Sequence, residues 1–122
     1  MLPLEELRVY QLAMTIGDDI WNFVHAWDNF SKNTIGQQIV RAADSIAANI
    51  SEGNGRYHFK ESIRFCYIAR GSLSETKTWL TKAQQRGLIN LPDYDRLLLK
   101  INELSIKLNN YIAATSKQID KP

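Results

Sequence analysis

Gln38, Arg41, Ser45, Asn49 and Glu52 recur at spacings of three and four residues along one stretch of the chain. At 3.6 residues per turn, all five fall within roughly 80° on a helical wheel. Glu61, Arg64, Ser72 and Glu75 lie close to one line on a later segment, joined by the apolar Ile68 and Trp79. If the two segments are adjacent and antiparallel, the sets meet. Arg41 then comes within reach of Glu75, and Arg56 or Arg64 within reach of Glu52. Three readings stand open for such groups. One is a partly buried hydrogen-bonded network that fixes helix register; its members must be paired, because an unpaired buried polar group costs about 1–3 kcal/mol. The second is a subunit interface, with the same network facing another chain. The third is a binding or catalytic site using Glu52, Glu75 and an arginine. Ala43, Ala47, Ala48 and Gly71 permit close helix approach and favour the first two. Gly71 inside a helix costs about 1 kcal/mol against alanine, which predicts a packing reason for it.

Other catalytic and metal-binding patterns are missing. None of the six glutamates has histidine three residues on, as a di-iron bundle needs. His25 and His58 have no second histidine or cysteine at ligand spacing, so no metal or cofactor is expected. Neither histidine has an arginine four to six residues before it, the spacing of helical ribonucleases. The "GNG" at 53–55 reads as a helix cap, not a phosphate loop. Cys66, between Phe65 and Ile68, reads as a packed small residue. These absences point away from an enzyme.

Charge is unevenly distributed. Residues 1–30 hold five acids and one base, and residues 31–90 hold nine bases and four acids. An RNA-binding face would draw on that basic middle: Arg56, Lys60, Arg64, Arg70, Lys77, Lys82 and Arg86. The alternative is a set of solvated helix faces. Tyr57, His58 and Phe59 follow a loop and adjoin Arg56 and Lys60, which makes them the best candidate contact surface.

The elements that must position these residues are helical. Apolar spacing of three and four recurs along nearly the whole chain, and strict alternation is absent. Four segments are predicted, at about 4–27, 33–52, 58–86 and 93–116. The first would bury Leu7, Tyr10, Met14, Trp21 and Val24, and the second Ile35, Ile39, Ala42, Ile46 and Ile50. The third carries Phe65, Ala69, Leu73, Leu80 and Ala83. The fourth carries Tyr94, Leu97, Leu98, Ile101, Leu104, Leu108, Tyr111 and Ile112. Ser31 to Asn33 reads as a cap-rich connector. Gly53, Gly55 and Gly87 read as left-handed helix ends, and Pro92 suits the first turn of the fourth segment. Short connectors force neighbours antiparallel, which predicts an all-α, up-down-up-down four-helix bundle. The tail "SKQIDKP" is expected to fray.

At 122 residues, 44% of them hydrophobic, the chain is read as one domain over residues 1–122, large enough for a core without metals or disulfides. One cysteine fits a reducing compartment. The opening "MLPLEELRVY" is no basic-then-apolar leader, and no apolar run approaches the roughly 20 residues of a membrane span. A cytoplasmic protein without membrane contact is expected.

"QQIVRAADSIAANISEGNGR" followed by "KESIRFCYIARGSLSE" resembles the four-helix bundle proteins encoded in intervening sequences of bacterial 23S ribosomal RNA genes, often labelled S23 ribosomal proteins. The family pattern is met at Gln38, Arg41, Ala42, Ala43, Ser45, Ile46, Asn49, Ile50, Glu52, Gly53, Arg56, Ala69, Gly71, Ser72, Leu73 and Glu75. "LRVYQLAMTI" also looks like the family's opening helix, so the match covers roughly residues 7 to 112. His58 departs from it, standing where a small hydroxyl residue often starts the third helix. The resemblance implies a closed four-helix bundle, a homopentameric ring and no established enzymatic activity. It also implies, through a related accessory protein of retroelements, binding to RNA or to a nucleic-acid-processing protein. The leading expectation is therefore a non-enzymatic oligomer binding structured RNA. The candidate contacts are Arg56, Tyr57, His58, Lys60, Arg64, Arg70 and Lys77. The alternative is a protein–protein adaptor or scaffold.

Overall fold

The structure is a computed structural model and describes residues 2–119. A 3₁₀ turn at Leu4–Glu6 precedes four helices: α1 (Arg8–His25), α2 (Gln37–Asn54), α3 (Phe59–Gln85) and α4 (Leu91–Ile119). The chain enters α2 through a helical turn at Asn29–Ser31 and a π turn at Lys32–Gly36. Each helix packs on its chain neighbours, and α1 closes the bundle against α4. The expected all-α, antiparallel four-helix architecture is what the structure has.

Two corrections concern α1. The expected helix from residue 4 breaks at Leu7, whose backbone is extended. Its core face is also turned by about a third of a turn from the expected one. Leu7 and Val24 are buried as expected and Tyr10 is half-buried, but Val9, Leu12, Ala13, Ile16 and Ile20 make the rest of the buried face, whereas Met14 and Trp21 are exposed at 44% and 58%. Aromatic and methionine side chains outweighed the smaller aliphatic ones in the sequence pattern, but the smaller ones fit the close approach to α2. The isoleucines of α2 are buried as expected, and so are Leu97, Ile101, Leu104, Leu108 and Ile112 of α4. Phe65 of α3 and Tyr94, Leu98 and Tyr111 of α4 are only half-buried.

The connector expected at Ser31 to Asn33 is helical instead. Asp28 is the N-cap: its Oδ1 accepts from the Ser31 amide at 3.0 Å and its Oδ2 from the Ser31 hydroxyl at 2.8 Å. The amide bond first, then the hydroxyl, holds the Asp28 carboxyl below its ordinary 3.8. A lowered folded pKa stabilises above the unfolded value and is lost as pH falls through the folded one. Asp28→Ala is therefore expected to melt below wild type near neutral pH. The gap should close in strong acid, as followed by circular dichroism.

Among the described residues, only Gly87 has a positive φ, 75°. It closes α3 in a Schellman arrangement, with the Leu88 amide donating to the Ala83 carbonyl at 2.9 Å and the Gly87 amide to that of Gln84 at 3.1 Å. Gly53 and Gly55 are right-handed, which corrects their expected role. A Cβ on Gly53 would stand 3.0 Å from the Ser62 carbonyl oxygen and 3.1 Å from Phe65 Cβ. Gly53 is thus required by the approach of α3, and Ser62 Oγ donates to its carbonyl at 2.7 Å. Gly71 lacks the expected packing reason among the described residues, where nothing lies within 4 Å of an added Cβ.

The fourth helix starts earlier than expected. Asn90 Oδ1 accepts from the Asp93 amide at 2.8 Å, and Pro92 sits inside the first turn. The tail is helical through Ile119; the rest of the expected frayed segment lies outside the described residues. Ion pairs tie α1 to α4: Asp19 with Lys100 at 2.6 Å and Arg8 with Glu103 at 3.4 Å. Among the described residues, no helix is long and apolar enough to cross a membrane.

Candidate nucleic-acid interface

Where α2 packs antiparallel on α3, three short side chains form a hydrogen-bonded chain. Ser72 Oγ donates to Ser45 Oγ at 3.0 Å. Asn49 Nδ2 donates to the same Oγ at 2.9 Å and to the Ser45 carbonyl at 2.8 Å. Beneath them, Thr76 is fully buried and its hydroxyl donates to the Ser72 carbonyl at 2.8 Å. The network is half-buried, satisfied within one chain and set at the edge of the core.

The longer members of the stripe do not join it. Gln38, Arg41, Glu52 and Glu75 are exposed. Glu52 pairs with Arg56 at 3.0 Å, one of the expected contacts, and Glu75 accepts from Trp79 Nε1 at 3.3 Å. Arg41 does not reach Glu75; no salt bridge joins them among the described residues. Glu52 and Arg56 line an open cleft with Ser51 and Gly55, and Glu75 is not among its residues. Among the described residues, no three His, Cys, Asp or Glu side chains gather as metal ligands would. Cys66 is buried, and burial pushes its thiol up to about 11. The native protein is expected to resist iodoacetamide near pH 8 and to be alkylated once unfolded, as read by mass spectrometry.

The basic residues divide between two faces. At about 100° per residue, Lys60 and Arg64 share the outward line of α3. Arg70 and Lys77 lie about 100° round it, towards α4, where Arg70 donates to Asn109 Oδ1 at 3.2 Å and covers the Tyr67 ring at 4.7 Å. The corner between α2 and α3 gathers the rest. Tyr57 is 91% exposed there, with the His58 ring edge-on at 5.0 Å. Arg56 and Arg64 stand 4.8 and 5.9 Å from the Phe65 ring centre. His58 supplies no side-chain cap to α3, and its carbonyl instead accepts from the Ser62 amide at 3.1 Å.

Sequence reasoning missed two features. Asp44 lies over Gly17, whose added Cβ would come 3.0 Å from Oδ1. Burial, then Asp18, raises the Asp44 carboxyl above its ordinary range. The second is Asn54, read only as part of a cap: its Oδ1 is buried without a partner among the described residues.

A closed helical core with a hydrogen-bonded polar seam defines the class: a four-helix bundle. The family description "23S rRNA-intervening sequence protein" matches residues 5–110, and the chain belongs to that family. A solved structure from Bacteroides thetaiotaomicron VPI-5482, described as a protein with unknown function from the S23 ribosomal protein family, is similar at a TM-score of 0.77. It is 24% identical, and the likeness covers 85% of this chain and 97% of that one, which establishes the fold. Comparison with curated proteins gives no match.

Proposed function

We propose that this chain is a non-enzymatic, homo-oligomeric module that binds structured RNA through the α2–α3 corner. The observation that carries the reading is Tyr57: a ring 91% exposed, next in sequence to Arg56, which shares the Phe65 ring with Arg64. An exposed ring among cations offers a base a stacking platform and its phosphates a charge partner. The oligomer we infer is the pentamer that the family resemblance implies, in the cytoplasm. Gly71 supports a second copy: it weakens α3 by about 1 kcal/mol, no atom of the described residues lies within 4 Å of a Cβ built there, and exposed Tyr67 and Ile68 precede it. Solution mass tests the assembly. A hairpin RNA is expected to bind at micromolar protein, and no binding there overturns the RNA reading.

A second reading, an adaptor for another protein, is favoured by one observation. Leu99 and Ile106, seven residues apart on α4, are 71% and 64% exposed. Pull-down after nuclease treatment separates the two: a partner retained without RNA favours the adaptor.

A further inference from the structure

One end of the bundle holds an open cleft of about 520 Å³, lined by Leu2, Leu7, Asn54, Phe59, Tyr111 and Gln118. Four separate parts of the chain build it: the N-terminal turn, the last residue of α2, the first of α3 and the last turns of α4. Its size lies within the range of about 300–1,000 Å³ usual for small-molecule sites. Two aromatic rings and two leucines make most of the wall. Among the described residues, no cationic side chain lines it.

Asn54 gives the cleft its chemistry. Its Oδ1 is buried and, among the described residues, accepts no hydrogen bond. A buried acceptor left unpaired is unfavourable, and an incoming N–H donor would remove that cost. Asn54 lines the cleft, and the terminal torsion of asparagine is broad, so rotation of the amide changes which of its two polar atoms faces a ligand there. Asparagine pairs well with adenine, accepting from the exocyclic amine and donating to a ring nitrogen. Asn54 and Phe59 also bracket the connector that carries Arg56, Tyr57 and His58.

We propose that this cleft receives an unpaired, amino-bearing nucleobase, adenine above all, from the RNA held at the α2–α3 corner. The proposal rests on the RNA-binding reading and adds a base preference to it. Phe59 and Tyr111 flank the ring, Leu2 and Leu7 keep water from its apolar surface, and Asn54 reads its amine. Unpaired RNA bases are commonly splayed out, stacked on aromatic side chains and read by their edges in this way.

The test uses the full chain and one RNA hairpin stem with three loops: adenine, uracil, or purine lacking the 6-amino group. Affinity is read by fluorescence anisotropy. Wild type is expected to prefer the adenine loop about tenfold over the other two. Asn54→Ala should bring all three within about twofold and leave the uracil affinity unchanged. Phe59→Ala should weaken the adenine loop alone. Removing an orphan acceptor should leave the melting temperature of Asn54→Ala at or above that of wild type, which separates lost recognition from lost folding. Equal wild-type affinity for the three loops, or a preference that survives both substitutions, overturns the cleft and leaves the corner reading standing. No binding of any hairpin overturns both.

Discussion

Replacing Ile46 with alanine is expected to lower the free energy of unfolding by about 2–5 kcal/mol. Ile46 is fully buried in α2, in the one core that all four helices share. Its side chain has no route to solvent, so its removal loses transfer energy and leaves a cavity that the neighbours fill only partly. Ser45, the adjacent residue, makes the useful contrast. Ser45→Ala removes the acceptor shared by Ser72 and Asn49. Asn49 keeps its 2.8 Å bond to the Ser45 carbonyl, and the half-buried Ser72 hydroxyl can turn to water. Its cost is expected near 0.5–1.5 kcal/mol. Urea unfolding of both variants measures the difference. A Ser45→Ala loss as large as that of Ile46→Ala would mean that the polar seam, and not the isoleucine face, dominates stability.

The second large effect concerns binding. Tyr57→Ala is expected to weaken hairpin RNA by about 1–3 kcal/mol, the usual worth of one base stacked on an aromatic ring. That is a loss of roughly fivefold to 150-fold. With 91% of its surface in water, Tyr57 contributes little to the core, so the melting temperature should stay close to wild type. Tyr57→Phe keeps the ring and should keep most of the affinity. An affinity unchanged in Tyr57→Ala would remove the ring from the interface.

How legible each part was follows from chemistry at particular residues. The isoleucines of α2 announce their face because large aliphatic groups at three- and four-residue spacing have one stable place. Gly87 was equally plain, since a left-handed helix end has few alternatives to glycine. The face of α1 is less legible because the large Met14 and Trp21 stand exposed while the smaller Ala13, Ile16 and Ile20 are buried. The need for Gly53 is set by Ser62 and Phe65 of the next helix, which a local pattern does not show. In the two polar stripes, angle alone put nine residues together. Length then divided them: the short Ser45, Asn49 and Ser72 stay at the core edge, while Gln38, Arg41, Glu52, Glu61, Arg64 and Glu75 reach water. The Asn54 cleft had no sequence signal, being built from four distant parts of the chain.

A salt titration asks most directly whether RNA phosphates meet the corner cations. Hairpin affinity would be measured across a series of salt concentrations for wild type and for Arg56→Ala/Lys60→Ala/Arg64→Ala. The logarithm of the wild-type association constant should fall linearly with the logarithm of salt. Each lost phosphate contact should make that slope shallower by about 0.7–0.9, so the triple variant should lose roughly 2–3 units. A wild-type response that is flat in salt, or a slope that the triple variant leaves untouched, would contradict the account.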